Sequence, residues 1–142
     1  MSSDGGGARC RARERALQAL YQSDQSASEG GSDAFETYWQ HFGEDDAPVR
    51  TMAEDLVRGV QNHRGQIDQL IEASSKNWRI DRMSRVDRNI LRLATCELLL
   101  SAEVPRSVVL NEAIEIAKRF GAEGSAAFVN GVLDRIADDI GR

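Results

Sequence analysis

The chain has 142 residues, of which 41% are hydrophobic and 29% charged, with 18 Lys and Arg against 23 Asp and Glu for a formal net charge of −5. That is enough chain for one domain with a real core, and the composition excludes disordered, collagen-like and disulfide-scaffold classes. No apolar run approaches the ~20 residues of a membrane span, because Arg92 and Glu97 interrupt the Leu-rich stretch. Charge is distributed unevenly: residues 1–15 sum to +2, residues 16–55 to −8 and the remainder to +1. The acidic total therefore leaves room for a local basic surface acting over a Debye length of ~8 Å.

Residues 1–8 read as a flexible Gly/Ser tail ahead of a single domain over residues 9–142. From Arg9 to about Ser23, Ala12, Ala16, Leu17, Ala19 and Leu20 form an apolar stripe at helical spacing. A Ser/Gly loop follows over residues 26–32, and Asp33 is placed to cap a short aromatic helix carrying Phe35, Tyr38, Trp39 and Phe42, stopped by Gly43. Pro48 fits the first turn of the next helix, whose apolar positions Met52, Leu56, Val60, Ile67, Leu70 and Ile71 predict one long or one broken element, bent at Gly59 and Gly65. Residues 76–82 lack a period and read as a linker.

Ser84 followed by Asp87 has capping-box spacing and opens the most apolar helix. Val86, Ile90, Leu91, Leu93, Ala94, Leu98, Leu99 and Leu100 nearly encircle it, which requires a central position. Pro105 and Ser107 precede a helix through Val109, Ala113, Ile116, Ala117 and Phe120, closed by Gly121. Ser125 is placed to cap the last one, whose stripe is Phe128, Val129, Val132, Leu133, Ile136 and Ile140. About six helices and no alternating β-branched runs predict an all-α fold.

No catalytic constellation stands out: His41 and His63 lack neighbours at ligand or triad spacing, and there is no P-loop, nucleophile elbow or GxGxxG. The expectation is a non-enzyme without cofactor or metal. Cys10 and Cys96 lie too far apart for a CxxC, so Cys10 reads as an exposed thiol and Cys96 as a core residue. With no apolar segment at the N-terminus, the expected location is cytoplasmic. Glu97, facing the apolar side of the central helix, reads as a buried carboxylate held by a basic residue.

Arg9, Arg11, Arg13 and Arg15 form the strongest local signal. Four positive charges at a helix start oppose its dipole, whereas guanidinium forks match phosphate oxygens and stack on bases. Nucleic-acid binding and a merely solvated helix start both remain open on this feature alone. A second basic series, Lys76, Arg79, Arg82, Arg85, Arg88 and Arg92, is interrupted by Asp81 and Asp87 and is equally compatible with a binding face or with intrahelical pairing. Tyr21 and Phe128 are candidates for base stacking as well as for the core.

Arg11-Ala-Arg-Glu-Arg-Ala-Leu-Gln-Ala-Leu-Tyr21, Asp87-Arg-Asn-Ile-Leu-Arg-Leu-Ala94, Asn111-Glu-Ala-Ile-Glu-Ile-Ala-Lys118, Phe120-Gly-Ala122 and Phe128-Val-Asn-Gly-Val-Leu-Asp134 together resemble the NusB family of transcription antitermination factors, in order, from Arg9 to Ile136. The resemblance implies two packed three-helix subdomains. It also implies binding to NusE, ribosomal small-subunit protein ten, and with it to the boxA RNA of ribosomal RNA operons, within the RNA polymerase antitermination complex. It maps RNA contacts to Arg9, Arg11, Arg13 and Phe128, with Arg15 completing the basic start. Asp81 and Asp87 map to the NusE-facing side, and Tyr21 lies near the junction of RNA and partner. Cys10 within the arginine run, Ala127 before the Phe and Gly124 depart from the family pattern, the first two implying a smaller electrostatic share of RNA binding. The alternative from another class is a helical protein–protein adaptor in ribosome assembly, without direct RNA contact.

Overall fold

The structure, a computed structural model, describes residues 3–28, 46–76 and 78–142. Among them are six α-helices and no strand: α1 (Ser3–Ser28), α2 (Ala47–Asn62), α3 (Arg64–Ser74), α4 (Arg85–Leu100), α5 (Arg106–Phe120) and α6 (Ser125–Asp139), with a 3-10 turn at Ile80–Arg82. The all-α class expected from periodicity is what forms. The aromatic helix expected around Phe35 to Phe42, with Asp33 and Gly43, lies outside the described residues, as does His41. Contacts divide the chain into two compact units, Met1–Arg58 and Gly59–Arg142.

In the first unit α1 is wider than its apolar stripe, beginning at Ser3 rather than Arg9. Glycines 5–7 each cost about 1 kcal/mol relative to alanine in a helix, which does not stop one already nucleated downstream. Ala12, Ala16, Leu17, Ala19 and Leu20 are buried, as are Val49, Ala53 and Val57 of α2.

The break between α2 and α3 falls at His63, not at Gly59 or Gly65. The His63 backbone N–H still donates to the Gly59 carbonyl at 3.1 Å, so helical bonding runs up to the turn. Gly59 serves close packing instead of bending: a Cβ there would stand 2.8 Å from Cys96 Sγ and 3.2 Å from Leu100 Cδ1.

In the second unit α4 packs against α3, α5 and α6, and α6 also packs on α3 and α5. Every residue of α4 from Asn89 to Leu98 is buried, which is the central position its all-round apolar surface demanded. Its start is fixed by Ser84, whose Oγ accepts the Asp87 backbone N–H at 3.1 Å. Glu97 is buried, as expected from its place on the helix. Burial, and secondarily the Glu97 charge, push the Cys96 thiol up to about 12.

Two polar ties orient α6. Arg106 at the start of α5 donates to the carboxylates of Asp134 and Asp138, and these pairs hold its guanidinium more firmly protonated. Arg135 Nε donates to the Ser74 carbonyl at 2.6 Å, satisfying a carbonyl that the end of α3 leaves open.

Candidate nucleic-acid interface

The basic start of α1 does not present four equivalent arginines. Arg9 and Arg11 are exposed and Arg15 is half-buried, whereas Arg13 retains only 4% exposure. The reason lies in the spacing: Arg13, Ala16, Leu17 and Leu20 stand at i, i+3, i+4 and i+7, so Arg13 shares the buried stripe. A guanidinium so deeply buried persists only when engaged, and Arg13 does have interaction partners. Tyr21, two turns on, is half-buried and also engaged.

The second basic series splits in two. Lys76, Arg79 and Arg82 are exposed on the segment between α3 and α4. Arg88 instead reaches back to the Met83 carbonyl at 3.4 Å. Arg92 is buried in a two-bond pair with Asp68, Nε to Oδ1 at 2.9 Å and Nη2 to Oδ2 at 3.2 Å. No single basic face runs through all six positions, because the helical residues turn into the fold while the loop residues stay in solvent.

The loop itself is pinned. Lys76 adopts φ +56°, left-handed backbone costing a non-glycine residue ~1–2 kcal/mol. The buried Ser75 hydroxyl donates to the Trp78 carbonyl at 2.8 Å, and the Trp78 N–H donates to the Ser75 carbonyl at 3.2 Å. Two residues further, the Ile80 N–H donates to Glu72 Oε2 at 3.0 Å.

Phe128 sits in the first turns of α6, half-buried, with its ring edge-to-face against Trp78 at 6.4 Å between centroids and 70° between planes. Its helix begins one residue earlier than a Ser125 cap would give. Gly124 occupies the cap position at φ +89°, which a glycine takes without strain, and Ser125 Oγ instead accepts the Ala122 N–H at 3.0 Å. Ala127 is exposed beside Phe128 and contributes no charge there.

Asp81 is exposed in the 3-10 turn and pairs with Arg79 at 3.4 Å. Asp87 is half-buried, and its Oδ1 is shielded from solvent without a hydrogen-bond partner among the described residues. Ser84 thus supplies one half of the capping box through the Asp87 backbone, while the Asp87 carboxylate oxygen is left over. Trp78 is the residue that periodicity missed, since it lies in a segment without a period.

No group of His, Cys, Asp and Glu among the described residues is arranged to hold a metal ion, and no described helix is long and apolar enough to cross a membrane. Fold and surface together define an all-α protein displaying cationic and aromatic groups. More particularly, the chain belongs to the NusB family, which it matches over residues 10–138. It is 57% identical to the transcription antitermination protein NusB of Anaeromyxobacter dehalogenans (strain 2CP-1) over 132 residues, 93% of this chain and 92% of that one. The NusB of Myxococcus xanthus is 53% identical over 134 residues, 92% of this chain and 95% of its own. Among solved structures, NusB of T. maritima superposes with a TM-score of 0.80 at 40% identity, over 92% of this chain and 91% of that one. A chain from a structure of antitermination factors NusB and NusE with double-stranded RNA gives 0.81 at 30% identity, over 93% and 97%.

Proposed function

We propose that this protein is a cytoplasmic, non-enzymatic transcription antitermination factor that binds boxA RNA of ribosomal RNA operons together with NusE, ribosomal small-subunit protein ten. The observation that carries the reading is likeness over nearly the whole chain both to curated antitermination proteins and to a NusB found with NusE and RNA. Arg9 and Arg11 supply exposed guanidinium forks for phosphates, and Phe128 a ring for a base. Arg15 adds charge at the margin. The buried Arg13 serves RNA by holding the α1 start in place rather than through a phosphate contact of its own.

Asp81 and Asp87 are assigned to NusE contact, and Tyr21 is assigned to it separately. An exposed carboxylate in a basic segment and a second one with an unpaired oxygen both gain from a cationic partner. The test is a gel shift of a boxA-containing RNA with and without NusE. The reading expects a shift that NusE strengthens. No shift in either lane, with NusE still bound, would leave the helical adaptor of ribosome assembly as the better description.

A further inference from the structure

We infer that Trp78 is a second stacking platform beside Phe128, taking an unpaired nucleobase of single-stranded RNA. The inference rests on the RNA-binding reading above and extends it to a residue that reading does not use. Trp78 is the most exposed of the large hydrophobic side chains described, at 54%, although burying an indole is among the larger single gains open to a fold. An edge-to-face pair occupies the edge of one ring and one face of the other, so each of Trp78 and Phe128 keeps at least one flat face unused by the other. Two rings at 6.4 Å and 70° make a step with differently oriented surfaces, on which successive bases of a bent single strand can lie.

The surroundings favour a nucleic acid over another apolar partner. Lys76, Arg79 and Arg82 stand exposed within four residues of Trp78, against Asp81, which pairs with Arg79. A cationic rim around an exposed aromatic is the combination that tracks a phosphate backbone while stacking its bases. The backbone is also held ready. Ser75 bonds Trp78 through both side chain and main chain, Glu72 bonds Ile80, and Lys76 carries left-handed strain between them. A platform fixed before binding loses less freedom when the base arrives.

The experiment measures affinity of the full chain for a single-stranded boxA-containing RNA, alongside affinity for NusE. Trp78→Ala is expected to weaken RNA binding between about fivefold and about 150-fold, the range for loss of one stacked base, and Trp78→Phe to retain most of the affinity. Stacking displaces no counterions, so the log–log salt slope stays at the wild-type value in Trp78→Ala but shrinks by about 0.7 per charge in Lys76→Ala and Arg82→Ala. In a Trp39→Phe background, where Trp78 is the remaining tryptophan, RNA should quench the indole emission. Wild-type RNA affinity in Trp78→Ala, with Phe128→Ala impaired, overturns the inference and leaves the RNA-binding reading standing. Loss of NusE affinity with RNA affinity intact makes Trp78 a protein contact and overturns it equally. Failure of the wild-type chain to bind RNA overturns both.

Discussion

The Asp68–Arg92 pair gives the sharpest test of how the second unit is held, because its two members lose very different amounts when cut. The Arg92 side chain is 5% exposed and spends two N–H groups on Asp68 and a third on Asn89 Oδ1 at 3.3 Å. The Asp68 side chain is 24% exposed and also accepts from Arg64 Nε at 3.2 Å. Asp68→Ala leaves a guanidinium buried without its carboxylate, a change that costs about 3–5 kcal/mol. Arg92→Met removes the buried charge and keeps much of its volume. The aspartate left behind is reached by water and still paired, so the cost should stay below about 2 kcal/mol. The double variant should then be more stable than Asp68→Ala alone, since the second substitution removes the buried charge that Asp68 no longer neutralises. Urea titration followed by far-ultraviolet circular dichroism reads all three. If Arg92→Met proves as damaging as Asp68→Ala, the asymmetry of burial is not what sets the energetics, and the argument fails.

Arg9→Ala with Arg11→Ala should reduce the salt slope of RNA binding by about 1.4 with little change in melting, whereas Arg13→Ala should lower stability by ~1–3 kcal/mol, as its burial requires; equal thermal stability for all three would refute the assignment. The α4 cap uses the backbone N–H of Asp87, which survives any side-chain change, so Asp87→Asn and Asp87→Lys should melt within ~1 kcal/mol of wild type while Asp87→Lys weakens NusE binding in calorimetry. Gly59→Ala should cost about 1–3 kcal/mol by pressing on Cys96 Sγ, and appreciably less in a Cys96→Ala background, as a double-mutant cycle would show. Because the folded Cys96 thiol is raised from 9.0 to about 12, the unfolded chain gives up this proton first; the contribution to stability is full below pH 9 and declines by up to ~1.4 kcal/mol per unit between 9 and 12. Denaturation at pH 8 and pH 10.5 should show that loss in wild type and less of it in Cys96→Ala.

Much of the fold was legible because helical periodicity reports burial directly. The ring of apolar residues on α4 predicted a central helix, and its run from Asn89 to Leu98 is buried without a gap. What periodicity could not supply was the use of particular residues within a helix. Gly59 read as a bend, since glycine weakens a helix wherever it stands. Its actual use depends on how closely Cys96 and Leu100, some forty residues away, approach it, and that distance has no local signature. Ser125 likewise reads as a cap by type, yet Gly124 reaches the left-handed geometry at the cap position and frees the hydroxyl for Ala122.

The candidate binding residues were legible by type and illegible by exposure. Four arginines at alternate positions cannot all face water once the helix also carries Ala16, Leu17 and Leu20, and the i, i+3, i+4 rule applied to Arg13 would have identified it as the buried one. Trp78 is the opposite case. Nothing in residues 76–82 repeats, and a segment without a period reads as a passive connection, but hydrogen bonds to main-chain atoms leave no hydrophobic pattern behind. The Ser75 hydroxyl and the Glu72 carboxylate fix this loop through the Trp78 carbonyl and the Ile80 N–H, groups that every residue type carries. An exposed indole on a slack loop would give back much of its stacking energy in ordering itself. On a loop tied at both ends that loss is already met in the folded chain, which is why the ties around Trp78, more than its exposure alone, mark it as a surface made for a ligand.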